Sequence, residues 1–136
     1  MNVLDELYQN IIFQVSSNEL VDLLQSLKQK KQHEIEEIKD KIYKYEKDKR
    51  AKEALYQSLS PFRKFFTGRP PSHHQAVEYL VHVKERVKKI EKIKIYIAKI
   101  DDALRFLENR PSESEIVLST AIIEELRILK EMEGLQ

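Results

Sequence analysis

The stretch AVEYLVHVKERVKKIEKIKIYIAKIDDALRFL, residues 76 to 107, decides the fold. Ala76, Val83, Ile90, Ile97 and Leu104 recur at every seventh position, which keeps one face of a helix apolar over nearly its whole length. The flanking apolar column changes sides. Leu80 and Val87 lie four residues after members of that series, whereas Ile93, Ile100 and Leu107 lie three residues after. Such a switch turns the apolar face toward a new neighbour partway along the helix.

Upstream, a second long helix shows a matching change. Leu20, Leu24 and Leu27 open it, Ile35, Ile38, Ile42 and Tyr45 continue it, and two consecutive steps of four through Lys31 join the two sets. Boundaries follow from capping chemistry. Ser16 with Glu19, Ser72 with Gln75 and Ser112 with Glu115 each have the capping-box spacing. Ser60-Pro61 stops one helix and permits another to start, Gly68 closes that short helix, and Arg69-Pro70-Pro71 and Asn109-Arg110-Pro111 are breaks. Five helical segments are expected: residues 2 to 15, 17 to 59, 61 to 67, 73 to 109 and 113 to 133.

At 1.5 Å per residue the two long helices would measure roughly 65 and 55 Å, more than the short ones can cover. The predicted fold is therefore all-α. It is a long antiparallel helical hairpin, a coiled-coil arm, with a small bundle at its base formed by the N- and C-terminal helices. All 136 residues form one domain in this reading, with the base at 1–30 and 95–136 and the protruding arm and turn at 31–94. Ile97 and Leu104 should sit where the base is thickest. The turn at 60–72 should lie far from both termini.

Composition sets the bounds. Charged residues make up 35% of the chain and glycine occurs twice, as in solvated helices, while 41% hydrophobic residues argue against disorder. No apolar run is long enough to span a membrane, and residues 1 to 15 carry Asp5 and Glu6 rather than a signal-peptide pattern. The absence of cysteine removes disulfides and thiolate chemistry and fits a reducing, cytoplasmic location.

Net charge is +1, but it is unevenly distributed. Residues 1 to 27 carry four acids and no Lys or Arg, residues 28 to 99 carry twenty Lys and Arg against ten acids, and residues 100 to 136 carry four against nine. A basic arm on an acidic base would attract anionic partners. The candidate binding residues are Lys84, Arg86, Lys88, Lys89 and Lys92 on the arm and Phe62, Arg63, Lys64, Phe65, Phe66 and Arg69 in the turn. Rings interleaved with cations can stack on unpaired bases while the cations hold phosphates. Both features also have a structural reading. The lysines can form a solvated helix face with i,i+4 partners, and the phenylalanines can plug the end of the seam.

Arg69 and His74 have an Arg-x4-His spacing that resembles HEPN-type ribonucleases, in which such a pair at a helix start acts on a phosphodiester. The resemblance covers six residues, and Pro70-Pro71 hold Arg69 outside the helix. The histidines (His33, His73, His74, His82) lack the spacing of a metal site, and no glycine-rich phosphate loop is present. The chain is accordingly read as non-enzymatic, without metal or cofactor. Two functions fit. One is an accessory protein whose basic arm and turn contact nucleic acid while its acidic base docks a protein partner or a second copy. The other is an adaptor or inhibitor using arm and turn against protein alone.

Overall fold

Ser16 accepts a hydrogen bond at Oγ from the Glu19 amide, 3.1 Å away, and its carbonyl accepts from Leu20 at 2.9 Å. This cap starts helix α1, Ser17–Ser58. The computed structural model describes residues 1–58 and 77–134, apart from the side chains of residues 56, 57 and 134. Residues 77–109 are helical, with a π-helical turn at Leu80–Lys84 leading into α2, Glu85–Asn109. The last helix, α3, spans Thr120–Gly134, and the Ser119 hydroxyl lies 3.4 Å from the Ile122 amide at its start. Most described residues are therefore helical. The expected helix at 61–67 and the turn at 60–72 lie outside the described residues.

The expected first helix, 2–15, is instead two strands. β1, Asn2–Asp5, and β2, Ile11–Gln14, form an antiparallel hairpin. The Leu4, Leu7, Ile11 spacing suits a helix, but Asp5 diverts the chain. Its carboxylate Oδ1 accepts from the Tyr8 amide at 2.6 Å and from the Gln9 amide at 2.9 Å, and Gln9 then takes a left-handed φ of 54°. Beyond the turn, Ile11, Ile12 and Val15 are β-branched and suit a strand. A register shift between Val3 and Leu4 marks a bulge, because Val3 faces Phe13 and Leu4 faces Ile11.

The last predicted segment needs the same correction. Residues Glu115–Leu118 form β3, and α3 begins only at Thr120. Ser119, not Ser112, is the cap. β3 pairs parallel with β1 in the register Asn2↔Glu115 to Asp5↔Leu118, giving a mixed sheet of order β2-β1-β3. The bundle expected from the terminal helices is thus a sheet packed with helices.

The chain divides into two compact units, Met1–His33 with Lys94–Gln136, and Glu34–Ile93. The first holds the hydrophobic core. Val3 and Ile116 from the inner face of the sheet meet Leu20, Leu23, Leu24 and Leu27 of α1, Ile100, Ala103 and Leu107 of α2, and Ile122, Ile123 and Leu126 of α3. Ile97 and Leu104 are only half-buried, contrary to the heptad reading, while Ile100 is fully enclosed. The buried stripe in this part of α2 is the flanking column, Ile100 and Leu107, joined by Ala103. Ion pairs tie the helices of this unit, among them Lys28 to Asp101 at 2.7 Å and Lys31 to Glu125 at 2.9 Å. Lys31 Nζ also lies 4.9 Å from the centroid of the Tyr96 ring.

The second unit is built on a narrow apolar seam. Ile35 and Ile38 of α1 and Val83, Ile90 and Ile93 are buried, with Ile42, Tyr45, His82 and Arg86 half-buried beside them. Leu80 and Val87, expected as the flanking column, are exposed. Val83 is the buried residue of the π-turn, and the seam continues from it through Ile90 to Ile93, on the flank away from Val87.

Candidate anion-binding interface

The second unit carries the basic residues singled out by the sequence. Residues 34 to 93 contain fifteen Lys and Arg against ten acids, a formal charge of +5, whereas the first unit contains nine against thirteen, or −4. Lys84, Lys88, Lys89 and Lys92 are all exposed. Their positions are dictated by the seam. With Val83, Ile90 and Ile93 turned inward, residues 84, 88 and 92 fall on the opposite side of the helix at successive i,i+4 steps, with Lys89 beside them.

Like charges on adjacent turns repel one another, so this stripe costs stability unless acids neutralise it. Among the described residues no acid forms an ion pair with Lys84, Lys88, Lys89 or Lys92, although two exposed acids are near: Glu85 and Glu91 each lie three residues from Lys88, and Glu85 lies four from Lys89. An i,i+3 ion pair of this unit joins Glu36 to Lys39 at 3.5 Å, on the other helix. Lys84 Nζ instead lies 6.0 Å from the Tyr79 ring, which Lys49 also approaches at 5.8 Å. Such cation–π contacts are weak at exposed positions, and they leave the ammonium accessible.

Arg86 differs from these lysines. It occupies a half-buried seam position, and its Nη1 lies 3.4 Å from the main-chain oxygens of both Lys41 and His82. Next to it, the His82 and Tyr45 rings stack with centroids 4.5 Å apart and planes 12° from parallel. Arg86 is therefore tied into the structure of the unit, while the four lysines face outward.

The turn residues Phe62, Arg63, Lys64, Phe65, Phe66 and Arg69 lie outside the described residues, as do His73 and His74. The structure brings together Lys84, Lys88, Lys89 and Lys92. Sequence reasoning missed Tyr79 as a partner of lysines, although its i,i+5 distance to Lys84 across a π-turn is the kind of spacing that an ordinary helix would not join. Among the described residues, no group of three or more His, Asp or Glu could hold a metal ion, and no helix is long and apolar enough to cross a membrane. No protein-family model, curated protein or solved structure matches the chain.

Proposed function

We propose that the protein is a non-enzymatic, cytoplasmic binding protein whose basic helical unit contacts a polyanion, nucleic acid first among the candidates. The observation that carries this reading is the stripe of Lys84, Lys88, Lys89 and Lys92, outward-facing and in no ion pair among the described residues. The two acids beside the stripe, Glu85 and Glu91, are outnumbered by its four lysines, an imbalance that solubility alone does not require. Phosphates spaced along a nucleic-acid backbone would relieve the repulsion between these ammonium groups and release counterions.

In the same reading, residues 34–58 and 77–93 act as an antiparallel two-helix coiled coil. Support comes from the seam spacing of Ile35, Ile38, Ile42 and Tyr45 against Val83, Arg86, Ile90 and Ile93, and from the pairing of Lys41 with Arg86, Tyr45 with His82 and Lys49 with Tyr79. As residue numbers rise on one helix they fall on the other. The acidic unit is the proposed protein-docking end, for a partner protein or a second copy.

The test is a fluorescence-anisotropy titration of labelled single-stranded and duplex DNA and RNA at two salt concentrations. Binding that weakens steeply with salt is expected. No binding at low salt removes nucleic acid as the partner and leaves the adaptor reading, in which the same stripe meets an acidic protein surface.

A further inference from the structure

The outer edge of β3 is an open strand edge beside a groove. Its orientation follows from the parallel register. The Asn2 amide donates to the Ser114 carbonyl at 2.7 Å, so in a parallel ladder Ile116 and Leu118 also bond toward β1. The amide and carbonyl of Glu115 and Val117 then point the other way, and no group among the described residues meets them. At the opposite edge of the sheet, the β2 carbonyl of Gln14 is covered by Lys130 Nζ at 3.1 Å. The two edges are treated differently, and unpaired edges are what added strands recognise.

The groove along β3 has a volume of about 550 Å³. Ala103 and Phe106 of α2 with Ile116 and Ile122 form its apolar lining. Glu6, Glu113 and Glu115 supply its acidic groups, against the single cation Lys99, while Asp102 is engaged by Arg105. On the outer face of the sheet the side chains of Glu115 and Val117 are both exposed, two residues apart. Val117 continues an apolar row through Leu4 to Ile11.

We propose that the β3 edge and its groove bind an extended basic peptide segment of a partner protein by strand addition. Main-chain bonds to Glu115 and Val117 hold the added strand. On its outer face, a Lys or Arg lies beside Glu115 and an apolar residue two positions away lies beside Val117, because neighbouring strands pair side chains of the same face. This deepens the reading of the acidic unit as a docking end, and it does not depend on anion binding by the basic unit.

The experiment uses the full chain and two labelled peptides, Lys-Thr-Val-Thr-Lys-Thr-Val and its counterpart with Glu in place of Lys. The basic peptide should bind with the amides of Glu115 and Val117 shifted in heteronuclear NMR spectra and protected from hydrogen exchange. The acidic peptide should bind at least tenfold more weakly. Val117→Pro removes an outward N–H and leaves the β1 ladder intact, so it should abolish binding without changing helicity. Should that variant fail to fold, Glu115→Lys serves instead and should reverse the preference between the two peptides. Equal binding of both peptides, absence of binding at low salt, or shifts confined to other surfaces of the acidic unit would each overturn strand addition. The last outcome alone would leave that unit a docking end. Concentration-dependent dimerisation abolished by Val117→Pro would overturn it in favour of a second copy as the occupant.

Discussion

Lys130 on α3 reaches the main-chain oxygen of Gln14 on β2 at 3.1 Å, with its ammonium 5.4 Å from the centroid of the neighbouring Phe13 ring. A helix on the far side of the sequence thus occupies an acceptor that an edge strand would otherwise offer to another chain. Charged groups, lysine above all, are a common means of keeping strand edges apart. Lys130→Ala should leave helicity unchanged but raise the weight-average mass with concentration in sedimentation equilibrium. A mass independent of concentration would show that Ile11 and Ile12, both exposed on this strand, are not sufficient to drive pairing.

Core truncations should separate two residues that a heptad pattern treats alike. Ile100 is fully enclosed in the first unit, as is Leu27 opposite, so Ile100→Ala or Leu27→Ala should cost roughly 2 to 5 kcal/mol. Ile97 is half-buried and its truncation should cost about 1 kcal/mol. Urea denaturation measures both. Equal costs would place Ile97 in the core after all.

Asp5 holds the hairpin through two backbone amides, and it is itself buried. Removing the carboxylate in Asp5→Ala strands the Tyr8 amide, while the Gln9 amide keeps the Asp5 main-chain carbonyl at 3.0 Å, and should destabilise the protein by roughly 1 to 3 kcal/mol. Asp5→Asn keeps an acceptor oxygen and should cost less. Hydrogen exchange at Tyr8 and Gln9 provides the local readout, and unchanged protection in the Ala variant would contradict this role.

The lysine stripe and Arg86 should respond differently to neutralisation. Lys88→Gln, Lys89→Gln and Lys92→Gln should each lower the slope of log K against log salt by about 0.9 for duplex DNA, one phosphate contact apiece. Arg127→Gln on the acidic unit should leave the slope unchanged. Arg86→Leu should also leave it unchanged and should raise the melting temperature, since an apolar side chain suits a seam position better than a guanidinium bonded only to carbonyls at 3.4 Å. A slope change for Arg86→Leu matching that of the lysines would make Arg86 a phosphate contact too.

The long helices were legible because their signals are local and repeated. Ser16 caps α1 as its spacing from Glu19 implies, and the break in the leucine pattern at Lys31 coincides with a real exchange of contacts, where Lys31 bonds Glu125 instead of filling an apolar seam. The sheet was not legible. Leu4, Leu7 and Ile11 fit a helical stripe, and what defeats that stripe is one carboxylate accepting from two amides and a left-handed Gln9. Nor does any local signal say that Val3 pairs with Ile116, since parallel partners share no turn. At the candidate site, the exposure of Lys88 and Lys92 was readable from the heptads, but the inward pull on Arg86 was not, because a cation at a seam position looks like any other interruption.

The parallel pairing of β1 with β3 also fixes an order of events in time. Asn2 must wait for Glu115, more than a hundred residues later, before the middle strand of the sheet has its second neighbour. Helices form in about a microsecond, whereas contacts this distant in sequence close slowly. In refolding, far-UV ellipticity should therefore recover well before the Leu4 amide, which bonds toward β3, becomes protected. During that interval the hairpin of β1 and β2 has an unpaired edge on each side, and Val3 is without its eventual cover. A chain stalled on the ribosome before residue 115 would remain in that condition, with a strand edge made long before its partner.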